Sequence, residues 1–206
     1  MKKKRPLTVT IGAIVVLFTV TLALYGAAVL IPDSRPATGT QPEDEAATPD
    51  LPGPWSALNA LKVSDASPDV QGWMAGRKAV SVAGISSDFC DEGQSGAWTI
   101  VYSSDDGQIV VSVIQDEPVD VRASTSSLQQ GLDLAKVIDS DLAWQAVAAD
   151  ITKAGGEPPA TVSMALKAIG GRPGWEVSYP VSDGYRIVRV DAVNGSVIQG
   201  TTVGQG

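Results

Sequence analysis

Histidine does not occur in this 206-residue chain, and cysteine occurs once, at Cys90. The first absence excludes serine–histidine triads, cysteine–histidine proteolysis and histidine-ligated zinc. The second excludes an internal disulfide, so stability must come from packing. Cys90 itself reads as a small buried hydrophobe, the usual habit of a free cysteine, with an intermolecular bridge as the alternative. Positive charge is also scarce. Lys2, Lys3, Lys4 and Arg5 stand at the start, and residues 32–206 hold 11 basic against 23 acidic side chains, a balance of −12. Phosphate recognition needs a positive face, so nucleic acid is not expected as a partner.

One long apolar run is present. Leu7 to Ile31 is a 25-residue stretch without a charged side chain, bracketed by Pro6 and Pro32. As a helix it would rise about 37 Å, enough to span a bilayer with some tilt. The four cations before it and Asp33 after it place residues 1–6 in the cytoplasm and everything beyond Pro32 outside the cell membrane, as a single-pass protein. A cleaved secretory signal, with Gly26 and Ala28 as the small residues before a cut, is the rival reading. Its apolar core would be much longer than the usual ~7–15 residues. Residues 32–54 then turn proline-rich and acidic, and read as a solvated linker.

Beyond the linker the chain repeats itself. Trp98-Thr99-Ile100-Val101-Tyr102 with Asp106-Gly107 returns as Trp175-Glu176-Val177-Ser178-Tyr179 with Asp183-Gly184, offset by 77 residues, with six identities over sixteen positions. Two modules, 55–123 and 124–206, follow from this spacing. The first opens at Leu58 and Leu61, and then Ser67 caps a helix that has Pro68 at its first position. The second opens with Leu128, Leu132 and Ala135 at helical spacing. Asp139-Ser140-Asp141 then caps a helix carrying Trp144, Val147, Ala148 and Ile151, which must stop at Gly155-Gly156. Strands are expected at 79–85, 97–104, 108–114 and 119–123, and again at 160–169, 174–181, 185–191 and 196–203. The fold class so predicted is α+β: a transmembrane helix followed by two tandem helix and antiparallel-sheet modules.

Strand parity separates the faces of each hairpin. A two-residue turn at Asp106-Gly107 would pair Tyr102 with Val111 and Ile100 with Val113; one at Asp183-Gly184 would pair Tyr179 with Val188 and Val177 with Val190. Trp98 and Trp175 share those faces and belong under the helices. The opposite face of the second copy carries Glu176, Ser178, Arg189 and Asp191, an ordinary solvated surface. In the first copy it carries Val101, Val110 and Ile114, and contiguous apolar residues there are a candidate protein-binding face. A contact inside the same chain would explain them equally well.

Catalytic material is thin. Asp88, Asp91 and Glu92 cluster in one loop, but nothing in their spacing shows a pair of carboxylates held across a substrate. Asp105-Asp106-Gly107 lacks the rest of a calcium loop and is accounted for as a turn. No catalytic residue, cofactor or metal site is expected, and the chain does not read as an enzyme.

The segment Trp175-Glu176-Val177-Ser178-Tyr179, Asp183-Gly184 and Val188-Arg189-Val190-Asp191-Ala192-Val193-Asn194-Gly195-Ser196-Val197-Ile198 resembles the C-terminal half of a PepSY domain, over roughly residues 139–202. The first copy departs from that pattern, with Ile114-Gln115 and Asp116-Glu117 where the family has Asp-Ala and Asn-Gly. Tandem helix and four-strand units are also similar to the architecture of the β-lactamase inhibitor protein, although its paired cysteines are missing here. The resemblance implies an extracytoplasmic binding or regulatory module, with peptidases as the usual proposed target, and carries no catalytic residues. The alternative is a structural or assembly component of a cell-envelope complex.

Overall fold

The computed structural model describes residues 54–204, apart from residues 116, 118 and 125–128. Three helices, α1 (Ala57–Ala66), α2 (Pro68–Met74) and α3 (Ser140–Lys153), accompany eight strands. These are β1 (Ser81–Cys90), β2 (Ala97–Ser103), β3 (Gln108–Ile114), β4 (Asp120–Ser124), β5 (Val162–Ile169), β6 (Arg172–Val181), β7 (Gly184–Asp191) and β8 (Val197–Gly204).

All eight strands join one antiparallel sheet in the order β4-β3-β2-β1-β5-β6-β7-β8. This corrects the predicted fold class. The chain is mainly β, and its two halves are not separate helix and sheet modules, because β1 pairs directly with β5 through Ile85↔Leu166 and Ser86↔Ala165. The second half also has one helix where two were expected. The stretch from Gln129 to Asp139 is not helical, and Gly131 shows why: a β-carbon there would collide with the Ser81 hydroxyl, so the chain passes extended against the end of β1. The Leu7–Ile31 run lies outside the described residues. Among those described, no helix is long and apolar enough to cross a membrane.

The remaining helix signals are met in part. Pro68 occupies the first turn of α2 behind Ser67, which stands at the N-cap position but makes no side-chain cap bond. Asp139 caps α3 by accepting from the Ser140 backbone N–H at 2.8 Å, and Lys153 ends the helix two residues before Gly155, whose φ of 80° no branched residue would favour.

Both hairpins differ from the predicted register by two residues. Trp98 faces Val113 and Ile100 faces Val111, closing a four-residue loop between Ser103 and Gln108. In the second hairpin Trp175 faces Val190 and Val177 faces Val188, and the two-residue turn is Ser182-Asp183. Gly184 is drawn into β7 with φ 146°, its α-carbon pressed so near the Val203 carbonyl that a side chain would not fit. A shift of two preserves side-chain parity, so every residue keeps the face that alternation assigned it.

The helices cover one face only. Under them lie Trp98, Ile100, Tyr102, Val111 and Val113 of the first half and Trp175, Val177, Val188 and Val190 of the second, with Val63, Val70, Trp144 and Val147 pressed down from the helices. The same contact occurs twice. Trp98 Nε1 donates to the Trp55 carbonyl at 2.9 Å, and Trp175 Nε1 donates to the Ile138 carbonyl at 3.0 Å. Each acceptor lies one residue before a helix N-cap. A buried indole needs a partner for its N–H, and here that need ties a central strand to the start of the helix above it.

Candidate functional site

The face of the sheet away from the helices is the surface with the clearest design. A single register row crosses seven strands on it: Asp120, Ser112, Thr99, Ser86, Ala165, Glu176 and Arg189. Its centre is built of small and hydroxyl side chains, which leave the floor low.

Toward one end, Val101 pairs with Val110 and is flanked by Gly84 and Arg122. Both valines are half-buried; Ile114, paired with Ala97 on the other side of the Ser112–Thr99 row and so toward the opposite end, is 38% exposed. The structure therefore places all three predicted residues on this one face, and no helix among the described residues lies over them. Ser103 and Gln108, one pair further along, are buried, and among the described residues neither polar atom of the Gln108 amide has a hydrogen-bond partner.

The second half corrects the expectation of a purely solvated surface. Ile187 pairs with Ser178 and Thr201, and Tyr185 pairs with Pro180 and Val203. Tyr185 and Val203 are each 51% exposed. Ile187, Arg189, Thr201 and Val203 line an open depression of about 170 Å³. That is below the ~300–1,000 Å³ of small-molecule sites and suits one side chain of a larger partner. The signal was present in the sequence, because Tyr185 and Ile187 share the parity of Arg189. Since β2 and β6 run in opposite directions, the two apolar patches lie toward opposite ends of the sheet.

Charge sits between the patches. Glu176 receives Lys167 Nζ at 2.8 Å and Arg189 Nε at 3.3 Å, so one carboxylate holds two cations across three strands. At this exposure such pairs stabilise by only about 0–1 kcal/mol each, and their role is to order the surface.

The three acidic residues expected in one loop do not share one: Asp88 lies near the end of strand β1, and Asp91 and Glu92 follow it. Asp88, Asp91 and Glu92 are exposed beside Phe89, an aromatic ring 77% open to solvent. Among the described residues no group of three or more metal-binding side chains is placed to hold an ion. Asp106 instead braces its own loop, accepting from Ser104 Oγ at 2.7 Å and pairing with Arg77 at 3.1 Å, while Arg77 stacks over Trp73. The Ser104 hydroxyl, with Arg77 adding, holds its carboxyl below the usual range. Cys90 is fully buried, and burial, with Asp88 nearby, pushes its thiol up to about 11. It is thus the small core hydrophobe of the two readings. On the helix face, Tyr102 Oη donates to Asp65 Oδ1 at 2.7 Å and lies 2.9 Å from Ser64 Oγ. Burial raises the Asp65 carboxyl, although the Tyr102 bond opposes it.

No protein-family model matches the chain, and no curated protein does. Among solved structures it is similar to a crystal structure described as a putative lipoprotein from Clostridium difficile 630. That match has 11% identity and a TM-score of 0.52, and it covers 75% of this chain and 97% of the other. At this identity the likeness is one of fold.

Proposed function

We propose that this chain is a membrane-anchored, extracytoplasmic and non-catalytic binding or regulatory module, which holds a protein partner on the open face of its sheet. The observation that carries the reading is the half-buried pair Val101–Val110 with the exposed Ile114 on one face of the sheet, over which no helix lies among the described residues. The low central floor and the side-chain-sized depression at Ile187 suit a protein surface better than a small molecule. The apolar run at 7–31 and the linker at 32–54 would hold the domain outside the membrane, a placement that the lipoprotein description of the similar structure also supports.

A PepSY-like character of residues 139–202 fits α3 followed by four antiparallel strands. It also fits the turn in which Asp191 accepts from the backbone of Val193 and Asn194 before Gly195 at φ 73°. On that resemblance the partner class is a peptidase.

The test is cross-linked capture from membranes by the full-length chain. Val101→Ser with Val110→Ser should abolish recovery of the partner while the thermal midpoint stays within about 2–4 °C of the parent, the shift of roughly 1 kcal/mol for a unit of this size. Undiminished capture by the double variant overturns the reading.

A further inference from the structure

The two edges of the sheet are unequal. β4 is five residues long and carries the Asp120–Arg122 ion pair at 2.7 Å, the charged and short form that discourages pairing with other chains. β8 is eight residues long, Val-Ile-Gln-Gly-Thr-Thr-Val-Gly, without a charge or a proline. Among the described residues it has a neighbour on one side only, β7. Among the described residues nothing pairs with its outer row of backbone N–H and C=O groups, and Ile198 and Val203 are largely exposed along it.

Arg186 bears on what could pair there. A β-carbon on Gly200 would lie 3.3 Å from Arg186 Nη2 and 3.4 Å from Nε, so the guanidinium of this β7 residue lies across β8 over a position that has no side chain. Arg186 is exposed and makes no ion pair among the described residues. Arg186 and Asp150 each act electrostatically on the Tyr179 phenol. On the opposite face the same stretch of edge offers Thr201 and Val203 beside Ile187 and Tyr185.

We propose that β8 is a strand-addition site for an extended segment of another protein, one that presents a carboxylate side chain to Arg186 and apolar side chains, one residue to either side, to the Val203 face. Main-chain pairing supplies the affinity, and the alternation of side chains supplies the selection. A second copy of this chain is the wrong occupant. A two-fold pairing of β8 centred near Gly200 keeps like faces together and sets Arg186 against its own symmetry mate, a repulsion that an acidic segment turns into attraction. This surface is separate from the Val101–Val110 patch and does not depend on it.

The probe is a fluorescein-labelled decapeptide of alternating valine and glutamate, titrated into the full-length chain in detergent and followed by anisotropy. Saturable binding is expected, at least about tenfold tighter than that of the valine–lysine counterpart. Arg186→Glu should reverse the preference. Two further peptides, N-methylated at every second residue in alternate phase, leave the protein untouched: one phase should lose binding and the other keep it, since only one set of peptide N–H groups faces β8. Absence of binding, equal binding of both peptides, an indifferent Arg186→Glu variant, equal behaviour of the two methylated phases, or dimerisation through β8 each overturns the proposal. Binding should survive Val101→Ser with Val110→Ser, which separates this result from that of the open face.

Discussion

The two halves of the sheet agree on one face and differ on the other. Beneath the helices, Trp98 and Trp175, Ile100 and Val177, and Val111 and Val188 hold equivalent register positions, each 77 residues apart. Each indole is bonded to the carbonyl just ahead of a helix. On the open face the equivalent of Val101↔Val110 is Ser178↔Ile187, and the Glu176 ion pairs stand where the first half has Thr99 and Ser112. Packing constrains the shared face, because a buried Trp admits few substitutes. The open face bears no such constraint, so its differences are where a partner would be distinguished.

The strongest way to break the equivalence is to remove the two tryptophans singly. Trp98→Ala and Trp175→Ala should each cost about 3–5 kcal/mol, through the cavity left and the carbonyl stranded at the helix start. Both variants should still unfold in a single urea transition, since β1·β5 leaves no seam in the sheet. Two transitions, with only one displaced in each variant, would show that the halves fold independently.

The parts of this arrangement that were legible in the sequence are those set by side-chain alternation. The strands, the core placement of Trp98 and Trp175 and the shared face of Val101, Val110 and Ile114 all follow from a period of two. Loop closure was less legible. Asp-Gly suggests a two-residue turn in both copies, yet Ser104 Oγ bonds to Asp106 and to the Gly107 carbonyl and holds a wider loop. The spacing of Leu128, Leu132 and Ala135 is helical, but the contact of Gly131 with Ser81 overrides it. Least legible was the pairing of β1 with β5, because a strand's sequence shows its faces and not which edge it will meet. The patch at Tyr185 and Ile187 could have been found, since parity alone places it.

The helix starts allow a finer test, because they are capped asymmetrically. Asp139 caps its own helix α3 and also reaches the other half, accepting from Leu58 N–H at 3.0 Å and from Ser56 Oγ at 2.6 Å. Ser140 Oγ accepts from Ala57 N–H at 2.9 Å. Ser56 makes no side-chain cap to its own helix. Asp139→Ala should therefore cost about 1–2 kcal/mol, since two helix N-termini lose an acceptor at once, and Ser56→Ala about 0.5–1 kcal/mol, the worth of one bond. Urea midpoints of the two variants decide this, and equal costs would show that Asp139 serves one helix only.

The smallest effect separates the two equivalent tyrosines. Tyr102 donates to Asp65, whereas Tyr179 has Arg186 and Asp150 as charged neighbours. Burial raises the Asp65 carboxyl above its unfolded value, so between the two the folded chain holds more protons than the unfolded one. Its contribution to stability is then greatest at low pH and declines as pH rises from the unfolded value, about 3.9, through the raised folded one. Asp65→Asn keeps an acceptor for the Tyr102 phenol and removes the charge. The variant should gain in thermal midpoint over the parent at pH 7 and gain less at pH 3, where the parent carboxyl is already largely protonated in both states. An asparagine variant that loses stability at pH 7 would mean that the bond from Tyr102 to the ionised carboxylate outweighs the cost of burying it, reversing the sign of the first half's pH dependence.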